Sequence, residues 1–164
     1  MKDTEDVLQN NIKYHEMNAK ANILYKFVMT YSDYIKTPHD YGTGETINMA
    51  EVHTLTAIEE NPGITVTEVA LEWNRTKGAV SQIIGKLEKR GLIIRKKEGG
   101  NAKTVHLYVT ERGKLLSNAH KEYDIKELSW TDKILHKSFS SEEINIFYNV
   151  MEKYTELMNM SCEE

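Results

Sequence analysis

Arg75-Thr76-Lys77, followed one turn later by Ser81-Gln82, sets polar groups of mixed type beside an apolar series, Val80, Ile83, Ile84 and Leu87. On a helix the two sets fall on opposite faces. The polar set suits the edges of base pairs: Gln pairs bidentately with adenine, Arg or Lys with guanine, and a Thr methyl meets that of thymine. Gly78, Ala79 and Gly85 are small enough to let such a helix approach DNA closely, although each Gly costs about 1 kcal/mol relative to Ala. Lys86, Lys89, Arg95, Lys96 and Lys97 suit phosphates, which fix orientation without reading sequence. The alternative for any one of them is a solvated surface charge. Lys89 and Arg90 would in any case be favoured near a helix C-terminus.

Charge distribution favours the first reading. The chain has 164 residues and a net charge of −4. Between Arg75 and Lys114 stand 11 Lys/Arg against three acids, a local +8 that leaves −12 for the remainder. Local field, rather than total charge, decides phosphate binding.

The elements that must position these residues follow from periodicity and caps. A helix is expected over 11–36, with Leu24, Phe27, Val28, Tyr31 and Ile35 on one face, and a loop from Thr37-Pro38 through Gly44. Three later helices share one start. Asn48 with Glu51, Thr65 with Glu68 and Ser140 with Glu143 have capping-box spacing, and Ile47/Val52, Ile64/Val69 and Phe139/Ile144 are hydrophobic staples around them. They predict helices over 49–60, 66–73 and 142–160. A turn at Asn74-Arg75 leads into a helix over 76–90, which Gly91 ends in a left-handed cap. Strands over 92–97 and 103–109 flank a turn at Glu98-Gly99-Gly100-Asn101. Thr110 opens a long helix to about Lys137, with Leu116, Ala119, Tyr123, Trp130 and Ile134 on its stripe. Helix, turn, helix and hairpin in this order make a winged helix-turn-helix.

Other classes find little support. There is no Gly-rich phosphate loop after a strand, no nucleophile elbow and no paired-His metal helix, so no enzyme is expected and no cofactor. No run of about 18 apolar residues is present to span a membrane. The start, MKDTEDVLQN, lacks the pattern of a secretion signal, and the lone Cys162 cannot form an internal disulfide. A cytoplasmic location is the expectation.

Several strings carry a family likeness: Thr65-Val66-Thr67-Glu68-Val69-Ala70, Gly78-Ala79-Val80-Ser81, Leu87-Glu88-Lys89-Arg90-Gly91-Leu92-Ile93, Leu107-Tyr108-Val109-Thr110-Glu111-Arg112-Gly113 and Ser140-Ser141-Glu142-Glu143. In this order and spacing the chain resembles the MarR family of bacterial transcriptional regulators over nearly its whole length. The resemblance implies a single mainly α domain, 1–164, with a small β wing. It would comprise an N-terminal dimerisation helix (11–36), a winged helix-turn-helix lobe (47–113) and C-terminal dimerisation helices (114–160). Its partners would be double-stranded DNA, a second copy of itself and a small-molecule effector, often aromatic or phenolic.

On that likeness the recognition helix would present Arg75, Thr76, Lys77, Gly78, Ser81, Gln82 and Lys86. The wing and its flanks would add Arg95, Lys96, Lys97, Asn101 and Lys103. Family wings commonly carry Asp-x-Arg where this chain has Asn101-Ala102-Lys103. A lysine lacks the guanidinium fork, so weaker minor-groove shape readout is expected. Tyr31, Tyr34, Met49, His53, Trp73 and Tyr123 are candidates for an effector pocket, with core and interface packing as the alternative. Some family members sense zinc through a histidine matching His53 and an i, i+4 histidine pair in the long helix. Here Asp124 follows His120, so the expectation is no metal. His53, His120 and Asp124 stay open as an alternative three-ligand set. The reading is a homodimeric repressor released by an effector. The alternatives are a winged-helix protein-interaction module without a DNA target and a metal-responsive regulator.

Overall fold

The computed structural model describes residues 2–97 and 104–160. The described elements are α1 (Lys2–Lys36), β1 (His39–Asp40), β2 (Thr46–Ile47), α2 (Met49–Glu60), α3 (Val66–Glu72), α4 (Lys77–Lys89), β3 (Ile93–Lys96), β4 (His106–Val109), α5 (Glu111–Leu135) and α6 (Ser141–Asn159). The fold is mainly helical with a small β hairpin, as the patterning predicts.

The caps do what their spacing requires. Asn48 Oδ1 accepts the Glu51 amide at 2.9 Å. Thr65 with Glu68 and Ser140 with Glu143 form complete, reciprocal capping boxes. Thr76 is the N-cap of α4, its hydroxyl accepting the Ala79 amide at 3.2 Å. Asn74, between α3 and α4, has φ 47°. Asparagine tolerates this left-handed conformation better than most residues, and it turns the chain between the two helices. Gly91 has φ 68°, as expected of a residue that ends a helix.

The core gathers Val52, Leu55 and Ile58 of α2, Val69 of α3, Val80, Ile84 and Leu87 of α4, Ile93, Leu107 and Leu116. Full burial of each such side chain is worth about 1.5–3 kcal/mol. In the wing β3 pairs antiparallel with β4, Ile93 opposite Val109 and Lys96 opposite His106. The chain before α3 adds a third edge: Gly63 N donates to Leu107 O at 2.9 Å, and Leu107 N donates to Ile64 O at 3.0 Å.

Three details differ from expectation. Helix α1 starts at Lys2 rather than residue 11. No Gly or Pro precedes Pro38, so nothing stops the helix from extending, and its early apolar residues follow no single stripe that could have announced it. The stretch after α1 is a strap rather than a plain loop, with His39 paired to Ile47 and Asp40 to Thr46. Strand β4 begins at His106 rather than Lys103, and only Leu107 of the expected inward series is fully buried.

The chain packs as two compact units, residues 1–119 and residues 120–164, with the division inside α5. In the second unit Leu135, Phe139, Ile144 and Phe147 line an apolar cavity of about 420 Å³. Helix α6 buries none of its residues. Among the described residues no helix is long and apolar enough to cross a membrane.

Candidate nucleic-acid interface

Helix α4 separates its two faces cleanly. Val80, Ile84 and Leu87 are buried. Arg75, Thr76, Lys77, Gly78, Ala79, Ser81 and Gln82 are all exposed. A side chain added at Gly78 or Gly85 would meet nothing within 4 Å. The outward face is therefore low and unobstructed, bordered by polar groups near the helix start. Thr76 is exposed yet spends its hydroxyl on the cap. Its methyl remains available for an apolar contact.

The cations of the lobe sort into two groups. Lys86 Nζ lies 3.2 Å from Glu51, whose side chain is only 9% exposed. Arg90 reaches Glu45 at 2.8 Å and Glu51 at 3.3 Å. Arg95 Nε lies 2.9 Å from Glu88, and Arg112 Nη2 lies 2.9 Å from Glu45. Burial pushes the Glu45 carboxyl up, but its hydrogen bonds from Arg90 and then Arg112 outweigh this and hold it below the ordinary carboxylate value. Lys96 sits over the Tyr108 ring, 4.8 Å from its centroid. By contrast Arg75, Lys77, Lys89, Lys97 and Lys114 make no ion pair among the described residues. Two of the predicted contacts, Lys86 and Arg95, are thus paired within the lobe, whereas Arg75 and Lys77 at the start of α4 have no acid partner among the described residues. Asn101 and Lys103 lie outside the described residues.

Behind this surface is a cavity of about 250 Å³. Of the six residues predicted for an effector pocket, Tyr31, Met49, His53 and Trp73 line it. The His53 and Trp73 rings are 5.7 Å apart. Tyr34 is not among the lining residues; its ring lies 5.2 Å from that of His39. Tyr123 belongs to the second unit. Sequence reading missed that Ile35, Ala50, Thr54, Val69, Arg75, Val80 and Ile83 complete the wall. The Val80/Ile83 apolar series gave a signal for the core but none for a void within it.

Of the alternative metal set, His120 is buried and its Nε2 lies 3.2 Å from Asp124 Oδ2, as i, i+4 spacing allows. His53 belongs to the other unit.

Comparison with known proteins agrees with this architecture. Residues 46–103, from β2 into the wing, match the sequence profile of the MarR family. The uncharacterized HTH-type transcriptional regulator YhjH of Bacillus subtilis is 34% identical over 109 residues, covering 64% of this chain. The chain spans 59% of the length of that curated relative. Streptococcus pneumoniae FabT, solved in complex with DNA, superposes with a TM-score of 0.62 at 23% identity, over 89% of this chain and 97% of its own. Lactococcus lactis ZitR, described as zinc-responsive, gives 0.67 at 17% identity, over 87% and 99%. These two likenesses speak for the fold alone. The crystal structure of MarR aligns at 26% identity with a TM-score of 0.51, over 68% and 74%. Profile, relative and fold converge: over residues 46–103 the chain carries a winged helix-turn-helix region of the MarR family.

Proposed function

We propose that this protein is a homodimeric, sequence-specific DNA-binding repressor released by a small effector. The exposed, unpaired start of α4 carries the reading. Arg75, Lys77 and Gln82 stand on an open face, while Lys86 and Arg90 toward the helix end are matched by acids. Major-groove docking by the N-terminal part of a recognition helix requires that arrangement. Lys96 and Lys97 on the wing would hold phosphates on either side of the read bases.

The cavity supplies a route for control. Arg75 belongs both to its wall and to the outward surface, and the rest of the wall joins α1, α2, α3 and α4. At about 250 Å³ it falls just under the roughly 300–1,000 Å³ of typical ligand sites, which suits a single-ring molecule. An occupant that draws Arg75 inward, or parts α2 from α4, binds the DNA-free state better. That differential affinity is what release requires.

Selection of bound duplexes from a random pool tests the proposal. The expected result is an enriched pseudo-palindrome, with half-sites about one helical turn apart. Affinity for it should fall roughly 10³–10⁵-fold between 50 and 200 mM salt if six to ten phosphates are contacted. Absence of any enriched motif, together with salt-insensitive retention on heparin, would favour a protein-interaction module instead.

A further inference from the structure

The strap between α1 and α2 grips the end of α4 opposite its exposed start, through Arg90. Asp40 Oδ1 accepts the amides of Gly42, Thr43 and Gly44 at 2.9, 3.0 and 3.1 Å. Gly42 and Gly44 stand at φ 87° and 73°, in the left-handed region that glycine tolerates. The next residue, Glu45, is delivered in a fixed place by this turn and by the β1–β2 pairing.

Both Glu45 oxygens meet arginines. Oε1 accepts from Arg90 Nη2 at 2.8 Å and Nε at 3.2 Å, and Oε2 from Arg112 Nη2 at 2.9 Å. Arg90 is the residue that ends α4. Its guanidinium also donates to the Thr46 carbonyl at 2.9 Å and to Glu51 at 3.3 Å, while its own carbonyl accepts from Arg112 Nη1 at 3.1 Å. The last turn of α4 is therefore held by the strap, by α2 and by the first turn of α5. An exposed ion pair would do little of this, but a planar fork shared by two carboxylates and a carbonyl fixes direction as well as distance. Direction matters here. A tilt of about 5° at the Arg90 end moves the start of α4, about 20 Å away, by about 1.7 Å, which is enough to break a base-edge hydrogen bond.

We infer that Glu45 is a positioning residue for sequence reading: by clasping Arg90 it sets the angle at which α4 presents Arg75, Lys77 and Gln82 to DNA. This rests on the DNA-binding reading above. Glu45 itself touches no base.

The test compares Glu45→Gln, Arg90→Lys and the double variant in the full-length chain. The probes are the duplex enriched from the random pool and a random-sequence duplex of equal length. Each single variant should weaken the enriched duplex about 10-fold and leave the random duplex within about twofold, because phosphate contacts carry no sequence information. The double variant should also lose about 10-fold rather than about 100-fold, because both changes cut one tie. Equal losses on both duplexes, no loss, or an additive double loss each overturn the inference. Amide hydrogen exchange without DNA supplies an independent arm: Arg90, Gly91 and Leu92 should exchange about 10-fold faster in either single variant. Unchanged exchange overturns the inference even if no duplex is enriched, in which case the regulatory reading fails separately. Arg90→Lys keeps the cation at the helix end, so it remains the readout if Glu45→Gln does not fold.

Discussion

Lys86 and Lys77 look alike in sequence, two lysines on one helix, and the structure gives them different neighbours. Lys86 pairs with the nearly buried Glu51, and Lys77 faces outward without an acid. Lys86→Ala should therefore weaken DNA binding less than Lys77→Ala does, while lowering the unfolding midpoint more, because Glu51 loses a counter-charge. Titration of both variants against one duplex, with urea melts alongside, checks the order. Gln82→Ala should relax base preference, and Lys97→Ala should weaken all sequences alike; equal losses on selected and random DNA for both variants would refute that division. Gly113 makes a sharper point about fit. A Cβ there would run into the Leu92 carbonyl and crowd Leu55. Gly113→Ala should cost at least the roughly 1–3 kcal/mol typical of overpacking, despite the better helix propensity of alanine. The polar start of α4 was legible in sequence because its spacing is local. The pairing of Arg90 with Glu45 was not, since 45 positions separate the two and only the folded chain brings them together.

Helix boundaries were the most legible feature at the next scale, because a cap and its box partner lie within one turn. Asn48, Thr65 and Ser140 all cap as their spacing predicts. The fourth cap, Thr76, lacks a Glu at its third helical position, where Ala79 stands, so no box announced it. The strap escaped notice because its strands are two residues each, too short for any alternation. Thr65→Ala should destabilise the protein by about 1 kcal/mol through α3. The same boxes predict a pH response. Glu68 and Glu143 are held below the ordinary carboxylate value first by the cap backbone amide and then by the cap hydroxyl. Glu45 is lowered too, by its arginines against the opposing effect of burial. A carboxylate whose folded value is depressed stabilises the fold fully above its unfolded value, here near 4.5, and that contribution is lost as pH falls through the lowered folded value. Thermal midpoints should thus decline below about pH 4.5, and the decline should be shallower in Glu45→Gln. An unchanged acid limb in that variant would mean that the Glu45 cluster adds no net stability.

At the scale of the whole molecule the unresolved demand is apolar surface. In the first unit Val7, Leu8, Ile12, Met17, Phe27 and Val28 of α1 are exposed; in the second, Ile146, Phe147, Val150, Tyr154, Leu157 and Met158 of α6 are exposed. Large apolar side chains left this exposed along a helix suit an interface. Sequence periodicity flagged the later α1 face, with Phe27 and Val28, and the α6 helix, but could not say what covers them, because a stripe facing the core and a stripe facing another chain read alike. A second copy is the simplest cover, and it fits the two-fold symmetry that a palindromic DNA site would demand. Phe147→Glu combined with Leu157→Glu sets two charges on that face of α6 at positions about half exposed in the single chain, so the subunit itself should still fold. The variant should sediment as a monomer at concentrations where the parent is a dimer. Its affinity for a full pseudo-palindrome should drop to that for a half-site, while its affinity for the half-site should hold. The contrast follows from linkage: two tethered lobes make the second docking intramolecular, and separated lobes lose that gain without losing any base contact. A variant that stays dimeric, or a monomer that binds the full site as tightly as the parent, would place the reading symmetry somewhere other than α6.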